Sequence, residues 1–497
     1  MSDPDVLVLG GGPAGLTAAY VLAREGRRVT VLERDDVVGG LSRTEVRDGW
    51  RFDLGGHRFY TKSPEVELLW HEVLGDELLL RPRLSRIYLD GRFIDYPLSA
   101  GELVRKLGPV ELGRAVASYG AARLRPAGPQ DTLEQWVTRR FGRHLYETFF
   151  RSYTEKVWGV PCSELRADWA AQRIKELSFA SAARAALRPA AETDATSLIR
   201  QFHYPRYGPG QMWEAMAERI TQLGGEVRIG TPVERLVIER GRVAAVIAGG
   251  EEHVAPQVIS SLPLSLTPRL ADPVPQGAVR AASALRHRDF LTVALAVDGA
   301  DLFPDNWVYV HDPAVKVARI QNYRSWSPWM VPDPTATSVG LEYFCFAGDE
   351  LWSRPDDQLV ALAARELEQI GLSDSERVRK GWVVRVPMAY PIYDERYAER
   401  VGTIRAWLDG LENLQQIGRN GLHRYNNSDH SMLTGMCAAA NIAGAGHDLW
   451  EVNVDSWYGE TRATGESPYL VTPNGAGPAA GDDVGNEGRR AIGAGER

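Results

Sequence analysis

Apolar runs and helical spacing alternate along the first thirty residues. Val6-Leu7-Val8-Leu9 contains no polar position, which predicts a short strand covered on both faces. Glycines and a proline follow, and then Leu16, Ala19, Tyr20 and Ala23 recur at the spacing that lines one face of a helix. Arg28–Leu32 is a second β-branched run. From about 100 to 187 helical spacing dominates, with Leu133, Trp136, Val137, Phe141, Leu145 and Phe149 on one stripe, a pattern that usually marks core. Arg188–Asp194 reads as the loop that ends this layer. Between about 280 and 400 the pattern turns to β-branched and aromatic runs, such as Leu291–Val297 and Asn306–Val310, which predict a second, antiparallel sheet. The stretch from Pro473, rich in Gly and Ala, has little to bury and is expected to be a disordered tail over 473–497. The fold class is α/β.

The segment between the first strand and helix is Gly10-Gly11-Gly12-Pro13-Ala14-Gly15. Gly10 lets the chain turn, Gly12 removes a side chain that would block a pyrophosphate, and Gly15 lets helix and strand pack closely. The pyrophosphate would then lie at the helix N-terminus, where free N–H groups favour negative charge. The second strand ends at Glu33, eighteen residues beyond Gly15, where a carboxylate can accept ribose hydroxyls. Strand, glycine turn, helix, strand and acid together predict a Rossmann-like dinucleotide site. Val38-Gly39-Gly40-Leu41-Ser42 adds a second glycine pair. It resembles the one that flavoproteins of the glutathione-reductase and amine-oxidase type carry, which implies FAD rather than NAD. In such folds strands like Gly225–Ile229 and Val233–Leu236 return to the cofactor domain. The expected domains are therefore a discontinuous FAD-binding unit over 1–95, about 200–275 and 400–465, a helical domain over 100–195 and a substrate-binding sheet domain over 280–400.

Length and composition fit this division, since 497 residues with 44% hydrophobic content can bury two or three cores. Fifty-seven basic against 65 acidic residues leave a net charge of −8, so a nucleic-acid partner is not expected. Cys162, Cys345 and Cys437 are too far apart for a zinc site or a disulfide framework and read as core residues, and no metal is expected. Asp3 and Asp5 stand where a secretory leader carries basic residues, and no run approaches membrane-spanning length, so a cytoplasmic location is the expectation.

Beyond the dinucleotide unit, a series of stretches in order resembles UDP-galactopyranose mutases, above all the longer eukaryotic type. They are Asp53-Leu54-Gly55-Gly56-His57, Tyr96-Pro97, Thr132–Trp136, Lys156-Val157-Trp158-Gly159-Val160-Pro161 with Trp169 and Arg173 downstream, and Phe202-His203-Tyr204-Pro205. Trp307-Val308-Tyr309, Arg319 before Ser327-Pro328, Tyr390-Pro391, Gly418-Arg419, Arg424-Tyr425 and Asp429-His430-Ser431 continue the series. The resemblance implies a flavin-dependent mutase that interconverts pyranose and furanose nucleotide sugars, in which N5 of reduced FAD attacks the anomeric carbon; NADPH is a candidate reductant. No protein nucleophile is then needed. It implies that Arg173 and Arg319 clamp a diphosphate, a task suited to a guanidinium fork. Tyr309, Tyr390 and Tyr425 would contact substrate, Trp158 would wall the pocket, and His57 would sit at the flavin after Gly55 and Gly56. Arg419, Asp429 and Ser431 would close over the cofactor, with Ser428 or Asp429 capping a helix. One departure is Trp326, where the family has a tyrosine before Ser-Pro; it still reads as a substrate contact, but UDP-galactose itself is in doubt and a GDP-linked or deoxy sugar is open. His203–Gln211 is a candidate mobile loop. The main alternative is an oxidase or desaturase of the amine-oxidase or protoporphyrinogen-oxidase type with net redox turnover; a non-catalytic flavin-binding role is the other.

Overall fold

The wholly apolar strand Val6–Leu9 forms the centre of a five-stranded parallel sheet, all four of its residues at most 1% exposed. Val29–Leu32 and Glu226–Arg228 lie on one side of it, Gln257–Ser260 and Leu414–Gln416 on the other. The computed structural model describes residues 3–96, 100–124, 128, 130–167 and 201–452. Trp169, Arg173, the loop Arg188–Asp194 and the tail 473–497 lie outside the described residues. The helix Pro13–Arg24 leaves the first strand with proline in its first turn, where a missing N–H costs nothing. Helices Gly210–Gln222 and Ser428–Ile442 pack against it. The approach of the last is close enough that a Cβ on Gly435 would lie 2.4 Å from the Ala14 carbonyl oxygen. Small residues at this crossing are therefore obligatory.

Gly225–Ile229 does supply a strand to this sheet, as expected. Val233–Glu239 forms a separate four-stranded sheet with Arg242–Ala248, Glu251–His253 and Ala271–Asp272, which shares a core with the parallel sheet through Leu236, Val243 and Val246 against Leu7, Leu9 and Leu32.

The second large sheet has seven strands in the order Val378–Pro391, His287–Asp298, Ala336–Cys345, Arg319–Asn322, Trp307–Val310, Ser85–Leu89 and Arg92–Asp95. It is antiparallel except where Trp307–Val310 runs parallel to Ser85–Leu89. The last two strands correct the expected cofactor unit, which ran to residue 95: the chain has already crossed into the second sheet by Ser85. Register sorts the faces of this sheet. Val308, Ile320, Leu341 and Val293 lie opposite one another and pack under the helix Asp356–Gln369 through Leu359, Ala363 and Leu367. Their neighbours Tyr309, Arg319 and Glu342 are likewise mutually opposite, so alternation puts them on the other face. Against that face lie the helices Leu133–Phe141 and Ser152–Trp158. The predicted stripe Leu133, Trp136, Val137, Phe141, Leu145 and Phe149 is buried throughout, none of it more than 8% exposed.

Two local readings change. His203–Gln211 is held in place: Gln201–Pro205 pairs with Leu78–Pro82, and Gly210 N–H donates to Thr44 Oγ1 at 3.0 Å as the next helix begins. The helix expected near Ser431 begins at Ser428 and is capped by neither Ser428 nor Asp429; Asn427 caps it, in a reciprocal box with His430. All three cysteines are free and buried.

Candidate functional site

The glycine turns make a cradle. Gly10 has φ +99, a conformation that a side chain disfavours, and a Cβ on Gly15 would lie 2.0 Å from the Gly10 carbonyl oxygen. Gly39 N–H donates to the Gly11 carbonyl at 2.8 Å, which brings the second glycine pair over the first. A Cβ on Gly40 would meet Gly12 Cα at 3.4 Å, so the two turns face each other with no side chain between them. Bare backbone beside a helix N-terminus suits a pyrophosphate. Glu33 is 7% exposed; Oε2 accepts from Gly11 N–H at 2.6 Å and Oε1 from Asp35 N–H at 2.9 Å. Both oxygens keep lone pairs for hydroxyl donors. Leu41 packs against the cluster that holds the aromatic residues of the second sheet, linking cradle to pocket.

Asp53-Leu54-Gly55-Gly56-His57 joins the two parts. Asp53 is 1% exposed; its Oδ2 accepts from Tyr204 Oη at 2.5 Å, its Oδ1 from Thr44 Oγ1 at 2.9 Å, and its carbonyl from Tyr323 Oη at 2.8 Å. Burial pushes the Asp53 carboxyl up to about 7, against the lowering effect of the Tyr204 and Thr44 hydroxyls. Gly55 has φ +96, and a Cβ on Gly56 would lie 2.8 Å from Gln321 Nε2, so the loop lies flat against the second sheet. His57 Nδ1 is 3.2 Å from the Gly55 carbonyl. Burial lowers the His57 pKa to about 4, and the positive charges of Arg419 and Arg319 add to the effect. The imidazole is neutral at physiological pH.

Arg319 projects from its strand into the aromatic cluster. Its Nη2 is 2.5 Å from Glu342 Oε2 and donates to Tyr390 Oη at 2.7 Å, while its guanidinium lies 5.1 Å from the Phe344 ring centre. Burial is the largest influence on this charge and works against it, but the Glu342 carboxylate together with Tyr390, Tyr153 and Tyr425 outweighs it and holds Arg319 well above its ordinary pKa. Glu342 is fully buried and also accepts from Gln321 Nε2 at 2.8 Å. Tyr390 and Tyr425 have ring centres 5.5 Å apart, and Trp158 meets them at 6.0 and 5.9 Å. Arg419 closes this cage, its guanidinium 4.7 Å from the Tyr390 ring and 4.3 Å from that of Tyr425. Its Nε donates to the Ala389 carbonyl and its Nη1 to the Asn426 carbonyl, each at 2.9 Å. Tyr309 stands opposite Arg319 on the adjacent strand and meets Tyr153 edge-on at 5.8 Å.

The structure thus gathers His57, Arg319, Tyr390, Tyr425, Trp158 and Arg419 around one place, with Tyr309 at its side. Asp429 and Ser431 are buried in the first turn of the helix Ser428–Ile442. Trp326 is a correction: it is 2% exposed, its indole N–H donates to the Asn306 carbonyl at 2.7 Å, and it packs among Phe202, Tyr204 and Trp307. With its donor committed to backbone it is core, not a substrate contact. Glu342, Gln321 and Tyr153 join the site without having been expected there. The signal for Glu342 is a lone carboxylate in the otherwise uncharged strand Ala336–Cys345. Among the described residues no three metal-ligating side chains gather, and no helix is long and apolar enough to cross a membrane.

Residues 13–418 match the family described as flavin containing amine oxidoreductase. The chain belongs to this family. Its members bind a flavin, and the α/β fold with a Rossmann-like cofactor unit is theirs. A coproporphyrinogen III oxidase from Mycobacterium bovis is 28% identical over 434 residues, 82% of this chain and 91% of the relative. A probable UDP-galactopyranose mutase from Klebsiella pneumoniae is also 28% identical, over 176 residues that span 34% of this chain and 44% of the relative. Among solved structures, the crystal structure of a reduced UDP-galactopyranose mutase superposes with a TM-score of 0.80 at 21% identity, covering 92% of this chain and 99% of the other. That likeness is one of fold.

Proposed function

We propose that this flavoenzyme is a mutase interconverting the pyranose and furanose forms of a nucleoside-diphosphate sugar. The observation that carries the reading is Arg319, oriented by Glu342 and Tyr390 inside an aromatic cage that a second cation, Arg419, closes. A buried fork of donors, with further positive charge a ring away, suits a diphosphate. In this reading the start of the helix Pro13–Arg24, Glu33, Gly39–Leu41, Gly55–His57 and the turn at Asp429–Ser431 hold FAD. Reduced FAD, when bound, supplies the nucleophile, with NADPH as a candidate source of electrons.

In this reading the side chains themselves bind, wall and orient. Arg319 and the Tyr390 hydroxyl bind diphosphate oxygens and keep the leaving group within reach for its return. Arg173 is assigned to the same clamp on the resemblance alone. Trp158, Tyr390, Tyr425 and Tyr309 wall the sugar and exclude water from it. His57 is neutral, and with its Nδ1 proton donated to the Gly55 carbonyl its Nε2 is left as an acceptor.

A second reading, net oxidation with oxygen or another acceptor, is favoured by the greater span of the oxidase likeness, 82% of this chain against 34% for the mutase sequence. The deciding experiment is anaerobic incubation of dithionite-reduced holoenzyme with UDP- and GDP-linked furanose and pyranose sugars, followed by chromatography. Isomerisation of one sugar with no net electron consumption supports the mutase. No isomerisation, together with oxygen uptake by the oxidised enzyme on another substrate class, supports the oxidase.

A further inference from the structure

Lys156 places a charge where one is costly. Its ammonium is part-buried and donates to three uncharged acceptors, the carbonyls of Val310 at 3.1 Å, Asp312 at 2.8 Å and Val317 at 3.1 Å. These use all three of its N–H donors. A methionine would fill much of the space without desolvating a charge, so the ammonium is explained by what it ties together. The three carbonyls straddle the turn between Trp307–Val310 and Arg319–Asn322: Val310 follows Tyr309, and Val317 stands two residues before Arg319. Lys156 therefore closes the hairpin at the level of two residues of the candidate site.

On its own helix Lys156 lies between Tyr153 and Trp158, which wall that site. Tyr153 stacks on His311 with ring centres 4.4 Å apart and planes 12° from parallel. Ser152 Oγ donates to the His311 carbonyl at 2.8 Å, a second tie between the same helix and hairpin. The far end of the helix is held by Arg288, whose Nε donates to the Val157 carbonyl at 3.0 Å and whose Nη2 donates to the Phe344 carbonyl at 2.9 Å. The helix is thus tied to the sheet at both ends, with Lys156 joining it to the turn that leads into the strand bearing Arg319.

We propose that Lys156 is a positioning residue for the anion site: it fixes the spacing between the helix Ser152–Trp158 and the hairpin, and so the distance from Arg319 to the walls at Tyr153 and Trp158. The identity of the ligand, a nucleoside diphosphate, rests on the reading above.

The test uses the full FAD-loaded chain and Lys156→Met. UDP and GDP are titrated into wild type and variant, and hydrogen exchange is followed over 152–159 and 307–322. The expected result is an affinity at least about 10-fold weaker for whichever nucleotide the wild type takes, and a KM that rises more than kcat falls. FAD stoichiometry should be kept, and exchange should quicken in both segments and not in Pro13–Arg24. Nucleotide affinity and exchange equal to wild type, with only a lower thermal midpoint, would overturn the proposal. Should Lys156→Met fail to fold, Ser152→Ala removes one neutral hydrogen bond of the same junction and is expected to shift both readouts the same way, about 2- to 10-fold in affinity; no shift in either overturns the proposal. If the wild type binds neither nucleotide, the mutase reading fails, and the exchange data alone judge the junction.

Discussion

Arg319 and Glu342 can be removed singly or together, and the two experiments separate their structural from their chemical role. Arg319→Ala strands the carboxylate of Glu342, which is fully buried and, among the described residues, keeps only Gln321 as a side-chain hydrogen-bond donor. Breaking a buried pair in this way costs about 3–5 kcal/mol, because an uncompensated charge remains. Arg319→Met with Glu342→Gln removes both charges at similar volume and should return to within about 1 kcal/mol of wild type. Ligand binding behaves differently, since neither variant offers a guanidinium. Each charge-assisted bond to phosphate is worth about 1.5–3 kcal/mol, so one lost bond weakens the complex about 10- to 150-fold. Stability is read as the urea midpoint of tryptophan fluorescence at a fixed excess of FAD, because bound cofactor adds to the apparent value. Affinity is read by titrating UDP or GDP against the flavin absorbance. An Arg319→Ala variant as stable as wild type, or a double variant that binds the nucleotide as tightly, would refute these roles of Arg319 and Glu342.

Three further outcomes are expected. Gly15→Ala drives a Cβ to within 2.0 Å of the Gly10 carbonyl oxygen, so its flavin-to-protein absorbance ratio should collapse, whereas Gly402→Ala, a helical site with no atom within 4 Å of the new Cβ, should gain about 0.5–1 kcal/mol. Glu33→Ala deletes the carboxylate that accepts from Gly11 N–H, and FAD affinity by calorimetry should fall about 10- to 150-fold; an unchanged value would remove Glu33 from the cofactor site. Acid should loosen the fold. Burial lowers His57 and His287 to about 4 and His311 to about 3, so from pH 6.5 down to 4 the unfolded chain binds protons that the folded one refuses, and stability falls. Asp53, raised to about 7, opposes this with a single proton, so Asp53→Asn should fall more steeply over the same window; a flat urea midpoint in both proteins would contradict these assignments.

The parts of the molecule that are legible in the sequence are those whose physics is local. Gly10 to Glu33 is one strand–turn–helix–strand unit, in which Gly11 faces Glu33 and Gly15 faces Gly10, while Gly12 meets the adjoining turn at Gly40. Ser85–Leu89 and Arg92–Asp95 read as part of the wrong sheet because a short hairpin does not announce its partner, here Trp307–Val310, more than two hundred residues away. Trp326 misleads for a related reason. Its neighbours in sequence suggest a substrate contact, yet the acceptor that claims its N–H is the Asn306 carbonyl, which only the folded chain brings near.

Glu342 shows how such a residue can be found. The strand Ala336–Cys345 is buried at every position, and a carboxylate there is tolerable only with a cation opposite. Arg319, three strands from the edge at Val378–Pro391, is that cation by register. A charge that breaks an apolar strand calls for its complement on a neighbouring strand, and the folded sheet supplies it as Arg319. The pair also marks the face of the sheet on which the candidate site lies, because residues opposite one another in a ladder share a face.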